Sequence, residues 1–190
     1  TGRYGTVTVN NNTLIETGGI YVQGYGSTSV DNIFEITNNT ILETNGNGMS
    51  IYQASELIIS GNTVENSSSW AVHVHDGSGY YDSPYEIFDN IITDNQYGLE
   101  LYRVSANIEN NTISDNNYDG LYLYTNFTNP REVTIQYNSI INNGSYGIDF
   151  YDYLSPVVQY NDIYGNGSYD YRNNSNTGSE LDARYNFWGD

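Results

Sequence analysis

Seven times along the chain an asparagine stands two residues before a branched apolar residue: Asn12, Asn39, Asn62, Asn90, Asn111, Asn138 and Asn161 open NTL, NTI, NTV, NII, NTI, NSI and NDI. The steps between them are 27, 23, 28, 21, 27 and 23 residues. Self-similarity at such a step is the mark of a repeat architecture, and it limits the fold more than any single residue does.

Each unit has the same interior grammar. Five and three residues before the asparagine stand apolar or small residues, such as Phe34/Ile36, Leu57/Ile59 and Val133/Ile135. Two residues after it come Leu14, Ile41, Val64, Ile92, Ile113, Ile140 and Ile163. A period of two means a strand with one buried face. After a polar turn a second strand opens, usually on glycine: GIYV, GMSI, AVHV, GLEL, GLYL, GIDF. Helical periodicity is absent.

A unit of two or three short strands cannot bury its own apolar face, so units must stack as coils whose strands pair in parallel with those of the neighbouring coils. At a bend, an inward asparagine amide can bond the equivalent asparagine one coil away and satisfy groups that water cannot reach. A second polar row follows five residues later: Thr17, Thr44, Ser67, Asn95, Asn116, Asn143 and Asn166. The expected fold is all-β, a solenoid of about seven coils. Leucine-rich repeats lack support because the helical return is missing, and a propeller of three and a half blades would not close.

These xIxxNxI…G[IVLM]x[IVLF] units resemble right-handed parallel β-helix repeats of the pectate-lyase-like and carbohydrate-binding type, over roughly residues 5–172. The RYNFWG tail resembles the ending of such helices in surface proteins. The resemblance implies coils over 1–172 and an aromatic cap over 173–190. It implies fold more than function, because this fold hosts enzymes, sugar binders and inert stalks.

Charge removes several functions. Of 190 residues, 23 are acidic and five basic, all arginine, for a net charge of -18. No basic stripe exists to displace counterions from nucleic acid, and no apolar run is long enough to insert in a membrane. Cysteine is absent, which excludes disulfides and thiol chemistry. A chain so acidic and without lysine suits an extracellular, cell-surface setting, or a salty habitat.

Alternation along the second strand sends one set of side chains outward in columns. One column reads Gln23, Tyr52, His75, Tyr102, Tyr124, Tyr151, Arg172, and its neighbour Tyr21, Ser50, His73, Glu100, Tyr122, Asp149, Asp170. Flat rings beside carboxylates suit a neutral sugar chain, which makes Tyr52, His75, Tyr102, Tyr122, Tyr124 and Tyr151 the candidate ligand contacts. Protein contact, self-association, or tyrosines that simply suit a half-exposed strand stay open as readings. Were the chain a polysaccharide hydrolase or lyase, Glu100, Asp149 and Asp170 would be its acids, with Asp149 and Asp170 adjacent. The leading expectation is non-catalytic: a structural or adhesive module, or a self-assembling subunit.

No cofactor is required. His73, His75 and Asp76 lie close in sequence, but solvated histidines with His73 bonded to Glu100 are the preferred reading, and no metal site is assigned. Two imidazoles and a carboxylate could hold a divalent metal, and calcium in the acidic loop 75–84 stays open. Eight N-x-[ST] sequons occur; Asn126, Asn11, Asn38 and Asn110 are the candidate glycosylation sites, whereas Asn143 and Asn166 belong to an inner ladder. The first coil, with Val7, Val9 and Leu14, needs a cover, either an upstream domain of the same protein or a second copy stacked end to end.

Overall fold

A computed structural model describes residues 5–24, 32–76, 84–125, 131–151, 156–174 and 182–189. Three parallel sheets of seven strands each wrap a single core. The first runs from Gly5–Asn10 to Val157–Gln159, the second from Thr13–Ile15 to Asp162–Tyr164, and the third from Ile20–Gln23 to Tyr169–Asn173. Each strand pairs with its equivalents one coil before and after, so the chain is a parallel β-helix. Among the described residues no helix is long and apolar enough to cross a membrane.

The core follows directly from the repeat. Ile41, Val64, Ile92, Ile113, Ile140 and Ile163 form one wholly buried column, and Ile36, Ile59, Ile87, Ile108, Ile135 and Val158 another. Branched side chains stack in register because the strands they sit on are in register.

The asparagines form the predicted line. Asn62 Nδ2 donates to the Ile36 carbonyl (2.8 Å), to the Ser60 carbonyl (3.1 Å) and to Asn90 Oδ1 (3.0 Å), while the Asn62 backbone N–H reaches the same Oδ1. The pattern repeats from Asn12 through Asn161. One rung escaped the sequence analysis: Asn161 donates in turn to Asn186 Oδ1 at 3.0 Å. Asp182 and Phe187 bridge to Val157 and Asp162, so the stretch 182–187 lies along the first two sheets as a further coil would.

Backbone conformation explains why the polar rows fall where they do. The residue before each ladder asparagine is left-handed: Asn11, Asn38, Gly61, Asp89, Asn110, Tyr137, Tyr160 and Tyr185 have φ between 55° and 64°. So is the residue before each member of the second row, from Glu16 to Gly165. Two left-handed corners per coil turn the chain sharply, and the next side chain points inward beside strand-end carbonyls that it satisfies. Asparagine fits because its amide both donates and accepts.

The opening glycines have a steric cause. A Cβ on Gly98 would lie 2.2 Å from the Gly120 carbonyl oxygen, and one on Gly147 would lie 2.5 Å from that of Asp170. Most of the difference in unit length falls between the third sheet and the next first-sheet strand. Two coils cross that gap tightly through residues 53–55 and 103–105, whereas others take the longer spans 24–31 and 76–84.

Candidate functional site

The outer face of the third sheet gathers most of the chemistry. Alternation on strands Met49–Tyr52, Trp70–His75, Tyr97–Tyr102, Leu121–Tyr124 and Tyr146–Tyr151 buries one set of side chains and leaves the other half-exposed. Register then aligns Tyr52, His75, Tyr102, Tyr124 and Tyr151 coil by coil. The rings touch throughout: Tyr52 to His75 at 5.7 Å between centroids, His75 to Tyr102 at 4.4 Å edge-on, Tyr102 to Tyr124 at 5.0 Å stacked, Tyr124 to Tyr151 at 6.2 Å. Arg103 lies over the Tyr102 ring at 4.7 Å.

A second aromatic group adjoins this column. Trp70 stacks on Tyr97 at 4.5 Å, Tyr97 on Tyr118 at 4.8 Å, and Trp70 reaches Tyr122 at 5.9 Å. Tyr118 was not foreseen; it sits before the strand rather than on it, in the turn that precedes Asp119.

The polar column alternates charge and ring. His73 Nδ1 pairs with a Glu100 carboxylate oxygen, and Tyr122 follows, aligned with Glu100 and then with Asp149. Burial, reinforced by Asp149 and Glu100, pushes the Tyr122 phenol up to about 12. Burial also raises Tyr52, with Tyr21 and Glu100 adding to it. His75 goes the other way: burial first, then the neighbouring His73 and Arg103, disfavour its protonation. Asp119 is raised by burial, although its carboxylate accepts the Tyr146 backbone N–H at 3.2 Å.

The last coil departs from the expected columns. Strand Tyr169–Asn173 pairs Tyr146 with Tyr169, Ile148 with Tyr171 and Asp149 with Arg172. Arg172, not Asp170, is therefore the neighbour of Asp149, and Arg172 does not continue the tyrosine column. Asp149 is fully buried at 0% exposure. Arg172 Nε donates to its Oδ1 at 2.7 Å and Nη2 to its Oδ2, while the guanidinium lies 3.7 Å from the Tyr146 ring centroid. Asp170 turns inward and accepts from Asn166. The adjacent carboxylate pair expected of Asp149 and Asp170 does not form. Tyr169 is exposed and stacks on Tyr146 at 6.2 Å.

Among the described residues no three or more histidines and carboxylates converge as metal ligands. Most of the loop considered for calcium, and Asn126, lie outside the described residues. Asn11, Asn38 and Asn110 are exposed at the first left-handed corner, and Asn143 is buried in the second ladder, bonded to Asn166.

A family model described as a right-handed β-helix region matches residues 2–83 and 79–186. No curated protein and no solved structure matches the chain.

Proposed function

This chain belongs to the right-handed β-helix family, and from that premise we propose that it is a non-catalytic module displayed outside the cell, structural or adhesive in role, that meets neutral glycans along its third sheet. One observation carries the reading: the unbroken run of touching, half-exposed rings from Tyr52 through His75, Tyr102 and Tyr124 to Tyr151. Ring faces and edges take the CH surfaces of a sugar, and the phenol hydroxyls both donate and accept toward its hydroxyls. The net charge of -18 opposes a polyanion and leaves an uncharged chain unopposed.

The hydrolase alternative needs two carboxyl groups open to substrate. Asp149 is sealed under Arg172, which leaves Glu100 without an acidic partner on its own column. Val7, an inward-facing residue of the first coil, is 43% exposed; in the same reading an adjoining domain of the protein or a second copy covers it.

Binding to an array of neutral oligosaccharides tests the proposal. Tyr102→Ala with Tyr124→Ala should weaken binding about tenfold or more while the protein keeps its β-sheet circular dichroism. Retention of full affinity in that variant, or release of reducing ends by the wild type, would rule the reading out.

A further inference from the structure

The left-handed corner between the first and second sheets changes character along the solenoid. Its occupants are Asn11, Asn38, Gly61, Asp89 and Asn110, then Tyr137, Tyr160 and Tyr185. Glycine, asparagine and aspartate are the residues that tolerate this backbone; a bulky aromatic there is an outlier. Three outliers in consecutive coils are not required by the fold, since five earlier coils make the same turn without them. The rings are not there to fill the core either: Tyr137 is 56%, Tyr160 46% and Tyr185 64% exposed.

The three rings stack nearly parallel. Tyr137 and Tyr160 are 5.4 Å apart at 11°, and Tyr160 and Tyr185 are 5.2 Å apart at 6°. The coil before Tyr137 carries Asn110 at this corner, so no corner ring covers that face of Tyr137. Beside the stack run Gln136 and Gln159, in register on the first sheet; the Gln159 side chain is bonded to Asp182, whose carboxylate also pairs with Arg184, and the Arg184 guanidinium lies 5.7 Å from the Tyr185 ring centroid. The strip thus combines exposed aromatic surface, phenol hydroxyls and side-chain amides, with the Asp182–Arg184 ion pair at its Tyr185 end. It lies on a different side of the solenoid from the third sheet.

We propose that Tyr137, Tyr160 and Tyr185 form a second contact strip for a neutral polysaccharide, so that one module holds two glycan chains and joins them. The inference rests on the glycan reading of the third sheet for its ligand class, but on separate residues for its site. Strain held at an exposed aromatic row is understandable where the rings meet a ligand, and the acidic surface again favours an uncharged one.

The test uses amylose, mannan, dextran and cellulose as probes, with binding read by pull-down or affinity electrophoresis and joining read by light scattering of the soluble polymers. The corner variant is Tyr137→Asn, Tyr160→Asn and Tyr185→Asn, which installs the residue that other coils already use at this turn. The sheet variant is Tyr102→Ala and Tyr124→Ala. The wild type should bind and raise scattering. Each variant should still bind, about tenfold more weakly through lost avidity, and neither should raise scattering. A corner variant that scatters as the wild type does overturns the second strip and leaves the third-sheet reading intact. A sheet variant with full affinity, beside a corner variant with none, upholds the corner and overturns the third sheet. Scattering by the wild type alone that vanishes in the corner variant means the corner joins copies of the protein and overturns the proposal. A wild type that binds none of the probes overturns both.

Discussion

Asn166 ends its ladder on a carboxylate: its backbone N–H and its Nδ2 both donate to Oδ1 of Asp170, at 3.2 and 2.8 Å, four residues further along the chain. From Asn95 to Asn143 the acceptor is an asparagine one coil away, as when Asn143 donates to Asn166 at 3.0 Å. Only the oxygen matters to the bond, so Asp170→Asn should unfold at the wild-type urea midpoint. Asp170→Ala should lose about 1–2 kcal/mol, because two partly buried donors are left without a partner. Equal midpoints for the two variants would contradict this role.

Position in the first ladder should decide the cost of losing a rung. Asn111 is buried and serves two coils: its Nδ2 donates to the carbonyls of Ile87 and Glu109 and to Asn138, and its Oδ1 accepts from Asn90. Asn111→Ala should cost about 3 kcal/mol in chemical denaturation, since several buried groups become unpaired together. Asn12 is exposed at the first coil, where its Nδ2 donates to the Asn10 carbonyl and onward to Asn39. Asn12→Ala should cost less than about 1 kcal/mol.

Arg172 is expected to matter for folding more than for any contact with a ligand. Removing it takes the cation away from the fully buried carboxylate of Asp149 and leaves it the long 3.4 Å bond from Asn174. Arg172→Gln should destabilise by about 3 kcal/mol, and adding Asp149→Asn should restore most of the loss. A double variant no more stable than the single one would show that the deficit comes from packing on Tyr146 rather than from the unpaired charge.

Acid should weaken the fold partly through His75. Burial makes this imidazole less basic than in the unfolded chain, so between the two values the unfolded state binds more protons. Its contribution to stability is therefore complete above about pH 6.5 and is lost as pH falls through the lower, folded value. The drop in melting temperature between pH 7 and pH 5 should be smaller in His75→Gln than in the wild type. Parallel pH profiles would place the acid sensitivity elsewhere.

The ladder and the column of branched residues behind it were legible because both repeat at positions where the fold admits few alternatives. An inward asparagine amide recurs at every corner between the first and second sheets, and a period of two separates core from surface on the strands. The one-residue error in the last coil has a physical origin. Earlier strands open on Gly98, Gly120 or Gly147, and that glycine anchored the alternation; Asp170 occupies the equivalent place, and nothing in its identity says so. Distance from the ladder held the answer, since Tyr146 and Tyr169 lie equally far beyond Asn138 and Asn161 and pair with each other. The left-handed corner was harder to see. Asparagine there looks like more of the same polar turn, and only backbone angles reveal that Tyr137, Tyr160 and Tyr185 share its position. Asn186 was hidden for a related reason: Phe187 and Trp188 made its surroundings look like a plug rather than another turn of the spiral.

Because every rung of the first ladder hands the next one the same donors and acceptors, the design has no preferred size. Excising residues 91–111 would join Asn90 to Thr112 and Ile113, reproducing the junction that Asn111 now makes and leaving its amide aimed at Asn138. The aromatic run on the third sheet would lose Tyr102, the adjoining stack would lose Tyr97, and His73 would lose its Glu100 partner. Reach along a polymer could therefore be lengthened or trimmed one turn at a time, by duplication or loss of a single short stretch of gene.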